Sequence, residues 1–188
     1  MSDASPTEHF EHMEHAEHAA SSGDSFLSIV SVTIAILAVL AASVGSLETV
    51  ETAATINAKN DAVLLQNKAT DAWNFFQAKS LKKNMYTIAA NAGSGPVADF
   101  QKKAKYYGNG EKELQDKSLS LEHQTEAKLV LSEKHEHRHH ILTISSTLLH
   151  VAIAIATLSI IMRGARWPWY SSLAIAAGGV LGAVFAYL

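Results

Sequence analysis

Residues 26–47 read FLSIVSVTIAILAVLAASVGSL, 22 positions without a charged side chain. A bilayer core of about 30 Å takes about 20 helical residues at a rise of ~1.5 Å each. This stretch therefore has the length of one membrane crossing. A second run, 141–162 (ILTISSTLLHVAIAIATLSIIM), is equally long, and His150 is its one ionisable group. A third, 171–188 (SSLAIAAGGVLGAVFAYL), adds 18 residues. The three runs predict an all-α integral membrane protein with transmembrane helices over 25–47, 141–162 and 171–188.

The segment between the first two runs is of a different kind. Residues 48–140 carry 13 Lys/Arg against 12 Asp/Glu in 93 positions, close to neutral. No basic stripe appears, which argues against a nucleic-acid partner. The chain has no cysteine, excluding disulfides, thiolate metal sites and cysteine nucleophiles. Residues 1–24 contain six acids and no Lys or Arg. A cleaved signal peptide needs a basic flank and a shorter apolar core, so 26–47 reads as a retained anchor.

From Glu48 to Asn91 there is neither glycine nor proline. Ala92-Gly93-Ser94-Gly95-Pro96 then gives a turn signal: glycine supplies unusual backbone angles, and proline fits the first turn of a following helix. Helical composition returns from Val97 to His140, weakened at Gly108 and Gly110 by about 1 kcal/mol each against alanine. Phe100, Ala104, Tyr107, Leu114, Ser118, Leu121 and Thr125 follow a heptad rhythm, with Glu111 as a polar exception. On the first arm Ala62, Leu65, Ala69, Ala72 and Phe76 do the same, and Leu81, Met85 and Ile88 continue the rhythm after a small shift. Such spacing keeps one seam facing a partner helix. The expectation is a long antiparallel coiled-coil hairpin over 48–140, turning at 92–96, each arm running on into its neighbouring apolar stretch.

Residues 163–170 (RGARWPWY) place two arginines beside Trp and Tyr, the composition of a short interfacial loop. The positive-inside rule puts this loop in the cytoplasm and the hairpin outside. Lys59, Lys128, Lys134 and Arg138 argue the reverse, but long loops count less, so the balance leans to an exterior hairpin. Ala174, Gly178, Gly182 and Ala186 recur every four residues, and Ala38, Ala42 and Ser46 form a similar ridge. Small-residue ridges let helices approach closely, either within one chain or between subunits.

Two histidine clusters carry whatever chemistry the sequence offers. His9, His12, His15 and His18 lie in the Glu/His-rich tail, where the bland reading is a solvated acidic segment and the sharper one loose metal binding. Lys134-His135-Glu136-His137-Arg138-His139-His140 abuts the membrane. An apex near Ser94 sets Glu48 opposite His140 and Glu51 opposite His137. Ion pairs at the membrane boundary are the simplest account of this cluster. A pH-responsive collar is the second reading, because a neighbouring carboxylate raises a histidine pKa. A divalent transition metal held by His135, His137, His139, His140, Glu48, Glu51 and Glu136 is the third. His150 within a membrane span is a functional candidate by position, against the plainer reading of a neutral imidazole bonded to a neighbour. No nucleophile elbow, phosphate loop or dinucleotide fingerprint is present, and no enzymatic activity is expected.

The run from Asn67, NKATDAWNFFQAKSLKKNMY, resembles the signature of a bacterial membrane family, domain-of-unknown-function family 4337. Its most specific part is Ala72-Trp73 with Phe76-Gln77-Ala78-Lys79-Ser80 and Lys82. The resemblance extends over nearly the whole chain and implies a bacterial inner-membrane protein of this helical plan. It brings no activity, ligand or catalytic residue. Trp73 and Phe76 are expected to pack in the hairpin or at an oligomer contact, and Gln77, Lys79 and Lys82 to lie on a solvated or partner-binding face. The functional expectation is a homo-oligomeric scaffold, or an accessory subunit of a larger membrane complex, in contact with lipid. The alternatives are a metal- or pH-responsive envelope protein and an oligomeric pore.

Overall fold

The computed structural model describes residues 25–93, 95–162 and 165–188. The tail histidines His9, His12, His15 and His18 and residues Ser94, Arg163 and Gly164 lie outside them. Four helices are present, with no strand among the described residues: α1 Ser25–Asn91, α2 Val97–Gly108, α3 Glu111–Ile161 and α4 Arg166–Phe185. Three helical stretches are long and apolar enough to cross a membrane: one in α1, one in the run ending with α3, and α4.

α1 continues for 67 residues because nothing in its sequence stops it. It ends where Gly93 and Gly95 take φ of 70° and 93°, in the left-handed region that a Cβ disfavours. Pro96 follows, and its carbonyl accepts from the Phe100 amide at 3.1 Å to start α2. The second arm is not one helix. Gly108 ends α2, Asn109 is extended and Gly110 sits at φ 74° before α3 begins. The two glycines that looked like weak points inside one helix therefore break it. At the other end, α4 starts at Arg166, five residues before the apolar run, with Pro168 buried in its first turn.

The chain divides into two compact units. One joins residues up to Ala54 with Lys134–Leu188. Its core takes Val30, Ile34, Leu37, Ala41 and Val44 from α1, and Leu142, Leu149, Ala152 and Ala156 from α3. α4 contributes Ser172, Ala176 and Gly179, and Ala186 at its C-cap is also buried. Steps of three and four place each set on one helical face.

The small residues set how closely α4 approaches α3. A Cβ on Gly179 would come to 3.0 Å from the Ser145 carbonyl oxygen, and one on Gly182 to 2.6 Å from Ser145 Oγ. Gly182 and Ala186 of the expected ridge thus face inward, whereas Ala174 and Gly178 are exposed and a Cβ on Gly178 would meet nothing within 4 Å. On α1, Ala38 is buried but Ala42 and Ser46 are exposed. The inward α1 face passes instead through Ala41 and Val44. His150 donates from Nδ1 to the Ser146 carbonyl at 2.8 Å, a bond within its own helix. Trp169 packs edge-on to Phe26 with centroids 5.8 Å apart and donates to Thr33 Oγ1 at 3.2 Å.

The other unit, Thr55–Glu133, pairs the rest of α1 with α2 and the first part of α3. Ala58, Ala62, Ala69 and Ala90 are buried from α1, and Ser118, Thr125 and Ser132 from α3. Lys128 Nζ meets Asp61 at 2.8 Å, Trp73 Nε1 donates to Glu122 at 2.7 Å, and Lys83 pairs with Glu111. Early positions on α1 meet late positions on α3, so the two run in opposite directions. The expected seam residues Phe100, Ala104, Tyr107, Leu114, Ser118, Leu121 and Thr125 are all buried or half-buried.

On α1 the heptad shift does not occur. Beyond Phe76 the inward face is Lys79, Lys83, Tyr86 and Ala90, the same three-four rhythm without interruption. Leu81, Met85 and Ile88 are turned out, at 62%, 61% and 69% exposure. The physical reason is the partner: Glu111 and Tyr107 sit opposite this stretch. Lys83 pairs with the first, and Tyr86 stacks on the second at 5.8 Å with planes 4° apart.

Candidate functional site

Glu51 lies on α1 one helical turn beyond Leu47, where the apolar run has given way to charge. It is 5% exposed, the one buried charged side chain among the described residues. A carboxylate loses much hydration on burial and persists only when paired and hydrogen-bonded. Its partners come from α3 and the end of the chain. His135 donates from Nδ1 to Oε2 at 2.6 Å, and Arg138 Nη1 is 3.9 Å from Oε1. The Tyr187 hydroxyl also bonds to it. The Arg138 guanidinium lies over the Tyr187 ring, 5.0 Å from its centre, which fixes it beside the carboxylate. Burial works against ionisation of Glu51. The His135 and Tyr187 hydrogen bonds, with the charges of His135 and Arg138, outweigh it and hold the carboxyl below its ordinary 4.5.

A second, more open pair lies one helical turn away. Thr143 Oγ1 donates to Glu48 Oε1 at 2.8 Å. His139 Nδ1 is 4.0 Å from the same oxygen and 3.0 Å from Thr52 Oγ1. Thr52 Oγ1 also lies 2.9 Å from the Glu48 carbonyl, so the same hydroxyl links the Glu48 backbone to the His139 ring.

The seven proposed ligands therefore separate. Glu51 meets His135 rather than His137, and Glu48 meets His139 and Thr143 rather than His140. Glu136, His137 and His140 are exposed. Among the described residues no three His, Asp or Glu side chains come together in a way that holds a metal ion. As it stands the cluster is a pair of polar clamps.

Arg138, Tyr187, Thr52 and Thr143 were not among the sequence candidates. Arg138 was visible as a charge three residues after His135. Tyr187, 136 positions from Glu51, left no local signal.

The remaining candidates sit in the Thr55–Glu133 unit. Trp73 is half-buried against Phe76, with ring centroids 5.5 Å apart, and its N–H is spent on Glu122. Lys79 reaches the Asn109 carbonyl at 2.7 Å, bracing the break between α2 and α3. Gln77 is exposed.

Comparison with known families gives a match over residues 26–188 to the model described as Domain of unknown function (DUF4337). The chain belongs to this family. The match takes in all four helices, so the DUF4337 assignment covers both the buried Glu51 clamp and the Trp73 region. No curated protein and no solved structure matches the chain.

Proposed function

We propose that this DUF4337 chain is a membrane-anchored scaffold or accessory subunit that assembles with copies of itself and has no catalytic role. α1, α3 and α4 cross the bilayer, and the Thr55–Glu133 segment is an antiparallel coiled coil outside it. The setting is a bacterial inner membrane, with the coiled coil on the exterior face.

The observation that carries this reading is the exposed face of α1 near the turn. Ala78, Leu81, Met85 and Ile88 recur at steps of three and four, and all are exposed. Apolar residues at heptad spacing form a seam suited to a helix. The protomer already fills its own inward seam, so the outward one is left for another chain. The three apolar runs hold no Asp, Glu, Lys or Arg and one histidine, His150, which fits an anchor better than a lined ion pathway. Native mass measurement of the protein extracted with its lipids tests the reading. A discrete multiple of the 20.2 kDa protomer supports it, and a monomer that co-purifies with nothing sinks it.

A second reading has one specific observation in its favour, the His135–Glu51 bond at 2.6 Å. In that reading the clamp responds to pH, loosening on protonation of Glu51 and signalling through α1 and α3. A divalent metal would require the separated histidines to regroup. Metal analysis of untagged protein, with and without His135 and His139, decides that point.

A further inference from the structure

Leu40, Val44 and Leu47 of α1 and Val180, Val184 and Tyr187 at the end of the chain line an open cleft of about 410 Å³. Ser43 also borders it, but its hydroxyl donates to the Val39 carbonyl at 2.8 Å, so the walls offer little to a polar guest. The volume falls within the range of about 300–1,000 Å³ common to small-molecule sites. A stable water needs two to four polar partners, which these walls do not supply. The suited occupant is apolar over most of its length.

One end of the cleft differs. Tyr187 carries the Arg138 guanidinium over its ring, 5.0 Å from the centre. The nearest Glu51 oxygen is 3.9 Å away, too far to take one of the guanidinium's five N–H donors. Planar guanidinium donors match a phosphate in pairs. Lys134 lies one turn earlier on the same face of α3 and is exposed. Glu51 is bonded to His135 and Tyr187, and it offsets the Arg138 charge only across the longer 3.9 Å separation. An apolar slot whose Tyr187 wall carries an arginine guanidinium has the chemistry of a phospholipid site.

We propose that this cleft binds one anionic phospholipid, with an acyl chain against α1 and α4 and the phosphate on Arg138. The proposal rests on the membrane reading above but not on self-assembly. Every transmembrane surface meets lipid, so the claim is one of selectivity.

The test uses full-length protein, stripped of lipid in detergent and mixed with phosphatidylglycerol or with phosphatidylcholine bearing the same chains. Native mass spectrometry should show one phosphatidylglycerol per protomer, retained at least about tenfold better than phosphatidylcholine. R138Q should reduce that preference to about twofold or less, while R138K keeps most of it. A183F, which places a ring in the cleft wall, should lower retention of both lipids. Circular dichroism confirms that each variant stays helical. Equal retention of the two lipids by the unaltered protein overturns the proposal. So does phosphatidylglycerol retention that R138Q and A183F leave unchanged, since the lipid is then only annular. The same spectra report oligomer mass: lipid selectively bound to a monomer would sink the scaffold reading and support this one. A protein that stays dispersed without detergent would overturn both.

Discussion

The imidazole Nδ1 of His135 stands 2.6 Å from Oε2 of Glu51, a carboxylate almost wholly withdrawn from water. A carboxylate only accepts, so that nitrogen carries the proton. Removing the donor leaves a buried charge with one fewer bond. His135→Ala should lower stability by about 1–3 kcal/mol in detergent unfolding, and His137→Ala, at an exposed position, by less than about 0.5 kcal/mol. Equal losses would mean that the pair does not organise this end of the bundle.

The same bond gives a pH dependence with a defined sign. The folded-state pKa of Glu51 lies below its ordinary 4.5, so its contribution is present above that pH. It is lost as pH falls through the depressed folded-state value. Glu111, held low by Lys83 and Ser80, acts in the same direction in the other unit. Thermal stability should therefore drop on the acid side of pH 4.5, and Glu51→Gln should flatten part of that slope. A slope identical in the variant would show that Glu51 titrates alike folded and unfolded.

Three glycines of α4 separate close packing from open surface. Gly179→Ala puts a Cβ 3.0 Å from a backbone oxygen, which cannot swing aside, and should cost about 1–3 kcal/mol. Gly182→Ala meets the Ser145 hydroxyl, a movable group, and should cost less. Gly178→Ala meets nothing within 4 Å and should be neutral, or stabilise α4 by up to about 1 kcal/mol from helix propensity alone. Melting temperatures of the three variants give the order, and a reversed order would mean that α4 presents a different face to α3.

Ala69 and Met85 provide the matching contrast in the other unit. Ala69 is fully buried and Met85 is 61% exposed. Ala69→Leu overfills the inward seam and should destabilise the protomer by about 1–3 kcal/mol. Met85→Ala should leave protomer melting within about 0.5 kcal/mol. Equal sensitivity at the two sites would place Met85 inside the protomer.

Much of this plan can be read from residues 26–47 and 92–96, because the constraints there are severe. An apolar run of 22 residues has few other uses, and Gly-Ser-Gly-Pro cannot continue a helix. Where two solutions satisfied the same local rule, the pattern alone could not choose. Leu81, Met85 and Ile88 are the most apolar heptad beyond Phe76, yet the inward positions are Lys79, Lys83 and Tyr86. Their partners Asn109, Glu111 and Tyr107 are set by a break that the Gly108 and Gly110 signals understated. Gly178 and Gly179 are chemically identical neighbours, and only the approach of Ser145 distinguishes them. The clamp was half legible. Acids and histidines were expected to meet at the end of the apolar runs, but the pairing shifts by one to two positions, and Tyr187 enters from a distant part of the chain.

In the proposed scaffold the outward seam of α1 joins copies of this chain. The most direct test is the native mass of the lipid-extracted complex, compared between the unaltered protein and the L81E/M85E double variant. The unaltered protein should give a discrete multiple of the protomer that falls to the protomer in the variant, with helicity and melting of the individual chain nearly unchanged. A monomeric unaltered protein, or an oligomer that survives both substitutions, would contradict it.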